Sequence, residues 1–125
     1  MGFDFGMSRI GVAVGQTITG SASPLTVLAA RDGIPDWQQL GRLLSEWKPA
    51  RVIVGLPLNM DGSESDMSAL AEKFGRKLQG RFGVTVEMVD ERLSSREAKT
   101  RVDEGELLDA AAAAIILETW LSERG

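Results

Sequence analysis

The segment RIGVAVG, residues 9–15, alternates strictly, with Ile10, Val12 and Val14 on one side and Arg9, Gly11 and Ala13 on the other. That is the pattern of a strand with one buried face. A shorter apolar segment, Gly2 to Phe5, precedes it, and Gly6-Met7-Ser8 reads as the turn joining the two into an antiparallel hairpin. A third extended stretch, SASPLTVLAA at 21–30, follows the polar turn around Gly20. Its Pro24 has no N–H for a ladder, which places this strand at an edge.

The period then changes. Trp37, Leu40, Leu43, Leu44 and Trp47 recur at helical spacing, and Pro49 ends that helix. RVIVG at 51–55 is a compact β-branched run of the kind found in parallel sheets covered on both faces. After the loop GLPLNMDG, Ser63 reads as the cap of a second helix with Asp66 in a capping-box-like position. Met67, Leu70, Ala71, Phe74 and Leu78 form its apolar stripe. VTVEMV at 84–89 is another strand, DERLSS at 90–95 leads into helix at Arg96, and DAAAAAIILETWLSE belongs to an Ala-rich closing helix over 107–123. Trp37, Trp47, Phe74 and Trp120 fit apolar stripes and read as core rather than as base-stacking platforms. The fold class is therefore α/β: a mixed five-stranded sheet, three antiparallel strands then two parallel ones, with helices on both faces. The 125 residues are read as one domain, 1–125.

Such sheets place their sites beyond the carboxyl ends of the parallel strands. Asp4 falls on a central strand, Asp90 and Glu91 just past the last one, and Asp109 at the start of the final helix, or inside it if that helix begins earlier. The five alanines after Asp109 let that helix approach the sheet closely. The chain contains neither cysteine nor histidine, which excludes disulfide scaffolds, thiolate nucleophiles, Ser-His triads and imidazole ligands, and leaves carboxylates, lysines and hydroxyls for chemistry. The cysteine-free composition reads as cytoplasmic, and no apolar run approaches the length of a membrane span. Convergent carboxylates repel unless a cation joins them, and hard oxygen ligands select Mg²⁺ or Mn²⁺. Two such ions held by shared carboxylates suit phosphodiester hydrolysis, which needs no histidine.

Four ordered blocks, FDFGMSRIGVAVG, IVGLPLNMDG, VDERLSS and DAAAAAIILE, together resemble the YqgF family, also called RuvX, over nearly the whole chain. The resemblance implies an RNase H-like fold and a metal-dependent nuclease. It also implies a catalytic and metal-binding constellation at Asp4, Glu91 and Asp109, with Asp4 bridging two Mg²⁺ or Mn²⁺ ions. The substrate it implies is structured RNA, specifically the 5′ end of the small-subunit rRNA precursor in ribosome biogenesis, with resolution of branched DNA junctions as the alternative. A resolvase would act as a symmetric homodimer. Relatives usually carry a longer Gly-rich, basic segment where this chain has only residues 96–108.

Net charge −4 argues against a generally basic nucleic-acid binder, so any polyanion site must be local. Arg92, Arg96 and Lys99 at i, i+4 and i+7 are candidates for phosphate contacts, or form a solvated face. Asn59 sits in a loop at the carboxyl end of a strand, where it would meet substrate or complete a turn. Two rival classes stand beside the nuclease. A strand-Asp-x-Gly-turn-strand also resembles the phosphate-binding element of the actin, Hsp70 and sugar-kinase superfamily, which would need a dimer to form a cleft. The other rival is a non-catalytic RNA- or protein-binding module.

Overall fold

The computed structural model describes residues 1–16, 18–57, 61, 63, 65–90 and 105–124, with side chains in the last helix from Asp109 to Glu123. The elements are β1 (Gly2–Asp4), β2 (Arg9–Gln16), β3 (Ser21–Arg31), β4 (Ile34–Pro35), α1 (Trp37–Trp47), β5 (Val52–Leu56), α2 (Asp66–Phe82), β6 (Val86–Asp90) and α3 (Gly105–Arg124). They form one sheet in the order β4-β3-β2-β1-β5-β6. β1 pairs antiparallel with β2 and parallel with β5, and β5 pairs parallel with β6. β1 is therefore central.

Among the described residues the sheet has six strands where the sequence pattern gives five, because Ile34–Pro35 pairs with Ala30 and Arg31. Two residues are too short to show a period. Even so, among the described residues most of the outer edge of β3 has no strand paired to it, and Pro24 lies on that part, opposite Ala13 at a register shift in the β2–β3 ladder. The missing N–H thus costs no ladder bond on the outer side.

The two faces of the sheet differ in what covers them. On one, Phe3, Phe5, Ile10, Val12, Val52 and Val54 pack with Leu40 and Leu44 of α1 and Ala71, Phe74 and Leu78 of α2. Phe74 is the centre of an aromatic cluster, with ring centroids 5.8 Å from Phe3, 5.3 Å from Phe5 and 6.0 Å from Trp37. On the other face, Ile53 and Val89 pack with Ile116, Leu117, Trp120 and Leu121 of α3. Trp120 also donates from Nε1 to Glu87 Oε2 at 2.9 Å. Of the four aromatic residues expected in the core, Phe74 and Trp120 are buried and Trp37 packs at the margin of the first cluster. Trp47, in the last turn of α1, is 46% exposed.

The helix ends show why two sequence expectations shift. Asp61 Oδ1 accepts from both the backbone N–H and the hydroxyl of Ser63 at 2.9 and 2.6 Å, so Ser63 closes a local turn and the cap of α2 is Ser65. Ser65 Oγ accepts from the Ser68 N–H, Ser68 Oγ accepts from the Ser65 N–H, and Ser65 Oγ donates to Pro57 O at 2.6 Å. This is a capping box built from two serines, and it also ties the helix start to the end of β5. Ser65→Ala is expected to lower stability by about 1–2 kcal/mol, measured by urea unfolding. Asp109 is the other shift. α3 begins at Gly105, so Asp109 lies inside the helix rather than opening it. The apolar pattern that marks the helix starts at Leu107 and gives no signal for the turn before.

Candidate active site

Strand alternation explains the carboxylate between two phenylalanines. Successive side chains point to opposite faces, so Phe3 and Phe5 enter the core under α2 while Gly2 and Asp4 face α3. Gly2 confirms the direction, because a Cβ there would lie 3.0 Å from both Ala113 O and Leu117 Cβ. Asp4 is partly buried and stands at the carboxyl end of β1, opposite Gly11 in the antiparallel ladder.

α3 crosses this face on a track of small residues. A Cβ at Gly11 would sit 1.9 Å from Asp109 O, and one at Gly15 would sit 3.0 Å from Leu117 Cδ2. Ala13 is buried against Ala113 and Ala114. The helix therefore rests backbone-to-backbone on β2 at Asp109, and Asp109, Ala113 and Leu117, at i, i+4 and i+8, face the sheet in turn. Because Gly11 lies beside Asp4 and beneath Asp109, the two acidic residues are held within about 10 Å of one another, Cα to Cα.

Asp109 is partly buried, and its Oδ2 lies 2.8 Å from Arg9 Nε. Arg9 shares the face of Gly11 and Ala13, two residues before the glycine that admits the helix. The sequence reading puts Arg9 on this face but does not single it out as functional. The only available signal was that alternation, since the partner lies one hundred residues away.

Continuing the parallel register by one residue sets Asp4 level with Gly55, which pairs with Val89. Gly55, itself buried, contributes no side chain of its own at this level. The row ends at β6, whose last residue is Asp90. Glu91, Arg92, Arg96, Lys99 and Asn59 all lie outside the described residues. Among the described residues no three acidic side chains form a metal cluster; Asp4 and Asp109 share one face of the sheet, on either side of Gly11. Their hard oxygen donors, on a glycine-lined patch at the carboxyl edge of the sheet, fit a divalent cation such as Mg²⁺ or Mn²⁺. No helix of the described residues is long and apolar enough to cross a membrane.

Comparison with known proteins decides the family. The model of the family described as "RuvX: Holliday junction resolvase" matches residues 1–123. The chain belongs to the RuvX family. A RuvX relative from Marinobacter nauticus, named "Putative pre-16S rRNA nuclease", is 55% identical, with 99% of this chain and 92% of that protein covered. Relatives of the same name from Sodalis glossinidius and Pseudomonas savastanoi are 53% and 54% identical, covering 98% of this chain and 93% and 90% of their own lengths. The Marinobacter alignment runs over 132 positions against 125 residues here, so that relative has residues within the matched span that this RuvX chain lacks. Among solved structures, Thermus thermophilus RuvC in complex with a Holliday junction substrate superposes with a TM-score of 0.56 at 19% identity, covering 98% of this chain and 92% of that one. The same protein alone gives 0.52, also at 19% identity. The RNase H-like α/β fold expected from the sequence is the fold found.

Proposed function

We propose that this chain is a divalent-metal-dependent nuclease whose centre is built from Asp4, Glu91 and Asp109. The observation that supports the reading is the seating of α3 on Gly11, the ladder partner of Asp4, which sets Asp4 and Asp109, from opposite ends of the chain, on one face at the carboxyl edge of β1. Glu91 directly follows β6, the parallel strand on the same side of the sheet, and is the third acidic residue of the set. Asp4 and Asp109 would hold Mg²⁺ or Mn²⁺, and the bound ion supplies Lewis-acid stabilisation of the phosphoryl oxygens and a water of lowered pKa. The chain's own part is to fix the two carboxylates. Asp4 is set by the strand, and Asp109 is set by the helix seated on Gly11. Arg9 balances the charge of Asp109 and orients its carboxylate.

The relatives' shared name favours precursor 16S rRNA as the substrate, and the family description favours branched DNA as the second reading. Arg92, Arg96, Lys99 and Asn59 are proposed as substrate contacts. The deciding experiment incubates end-labelled precursor rRNA and a four-way DNA junction in parallel with Mg²⁺, Mn²⁺ or EDTA. The reading predicts metal-dependent cutting at the 5′ side of the rRNA precursor. Cutting of the junction alone would select the resolvase, and metal-independent cutting would remove the proposed centre.

A further inference from the structure

Positive charge is unevenly distributed in this acidic chain. The run 73–86, KFGRKLQGRFGVTV, holds four cations and no anion, against a net charge of −4 for the whole sequence. All four lie on α2. Lys73, Lys77 and Arg81 recur at i, i+4 and i+8 along one face, with Arg76 adjacent, and Lys73, Arg76 and Arg81 are exposed. One helical turn separates Lys73 from Lys77, a rise of about 6 Å, which suits successive phosphates of an extended strand.

The position of this row ties it to the candidate centre. Lys73 and Lys77 line a small cavity with Phe5, Gly33 and Trp37. Phe5 follows Asp4 directly but points to the opposite face of β1, so the basic row lies across the sheet from the proposed centre and is reached around the sheet's carboxyl edge. The rim between them is braced. Gly33 N donates to Met7 O at 2.9 Å and Ala30 N to Ser8 O at 2.8 Å, tying the β1–β2 turn to the β3–β4 turn and to the end of β3. At the far end of the row Arg81 lies 4.6 Å from the Trp37 ring centroid, and that ring packs on Phe74 behind it. Asp32, exposed at the β3–β4 turn, is the one acid among the described residues that line the cavity.

We infer that the Lys73–Lys77–Arg81 face of α2 binds the backbone phosphates of the RNA as it leaves the Asp4 centre, which makes α2 a second, sequence-independent contact surface. The inference rests on the nuclease reading for its ligand. Contacts of this kind position a substrate without reading bases, and each one displaces counterions, so it adds about 0.7–0.9 to the slope of log affinity against log salt.

The test measures fluorescence anisotropy of labelled precursor rRNA in EDTA, from low to moderate salt, for wild type, Lys73→Gln/Lys77→Gln and a control, Arg42→Gln/Lys48→Gln, that removes one charge from α1 and one from the residue capping its end. The first variant is expected to bind more weakly, with a salt slope lower by about 1.5. The control should keep the wild-type slope. Lys73→Gln/Arg76→Gln, both at exposed positions, repeats the test should the half-buried Lys77 alter the fold. If wild type binds and cuts RNA but all variants share its slope, the α2 surface is wrong and the nuclease reading stands. If wild type neither binds nor cuts RNA, the nuclease reading fails and takes this surface with it.

Discussion

Asp4→Asn is expected to lower metal-dependent cleavage by at least about 100-fold, since even residues that merely support a metal ligand typically contribute 10–100-fold, while leaving the melting temperature within a few degrees. The substitution keeps size and shape and removes one negative charge from a face that already holds Asp109. Asn keeps the shape of Asp and one of its oxygen acceptors, so the fold should tolerate the change. Cleavage should not. An amide is a weaker and uncharged oxygen donor, and the proposed centre has no histidine or cysteine to replace it. A single-turnover assay at saturating Mn²⁺, paired with a thermal melt, separates the two effects. A variant that cuts at the wild-type rate would remove Asp4 from the chemistry.

Gly11→Ala is expected to have the largest effect on stability. Its new Cβ would lie 1.9 Å from Asp109 O, 2.3 Å from the Asp109 carbonyl carbon and 2.9 Å from Ala110 N. All three obstacles are backbone, so no rotamer change relieves them and α3 must lift from β2. Overpacking of this sort costs about 3 kcal/mol, the upper part of the usual range, equivalent to a fall of roughly 10 °C in melting temperature for a domain of this size. Lifting α3 also carries Asp109 away from Asp4 and from Arg9. Loss of cleavage should therefore accompany loss of stability, even at temperatures where the variant remains folded. A wild-type melting temperature in Gly11→Ala would show that the helix does not sit on this glycine.

These two expectations mark how far the sequence could be read. The alternation of RIGVAVG and the flanking phenylalanines place Asp4 on a central strand, and period-two geometry then turns it away from the aromatic cluster around Phe74. The alanine run after Asp109 announces a helix that packs closely, and the glycines at positions 2, 11 and 15 are its counterpart on the sheet. What local pattern could not supply were pairings across the chain. Arg9 meets Asp109 only because β2 and α3 cross, and no spacing rule connects positions one hundred residues apart. β4 is too short to show a period, and Ser63 and Ser65 present the same capping chemistry until Asp61 claims the first. The final helix begins before its apolar stripe does, which is why Asp109 reads as a helix start from sequence and lies in the second turn in the structure.

The most direct measurement of the central claim is a Mn²⁺ titration followed by electron paramagnetic resonance, on EDTA-treated wild type, Asp4→Asn and Asp109→Asn. Free Mn²⁺ gives a sharp signal that diminishes on binding, so occupancy is read without any cleavage assay. One shared centre predicts saturable binding by wild type and an affinity at least about tenfold weaker in either variant. Equal Mn²⁺ binding by all three proteins, or none by wild type, would contradict the claim that Asp4 and Asp109 form a single cation site.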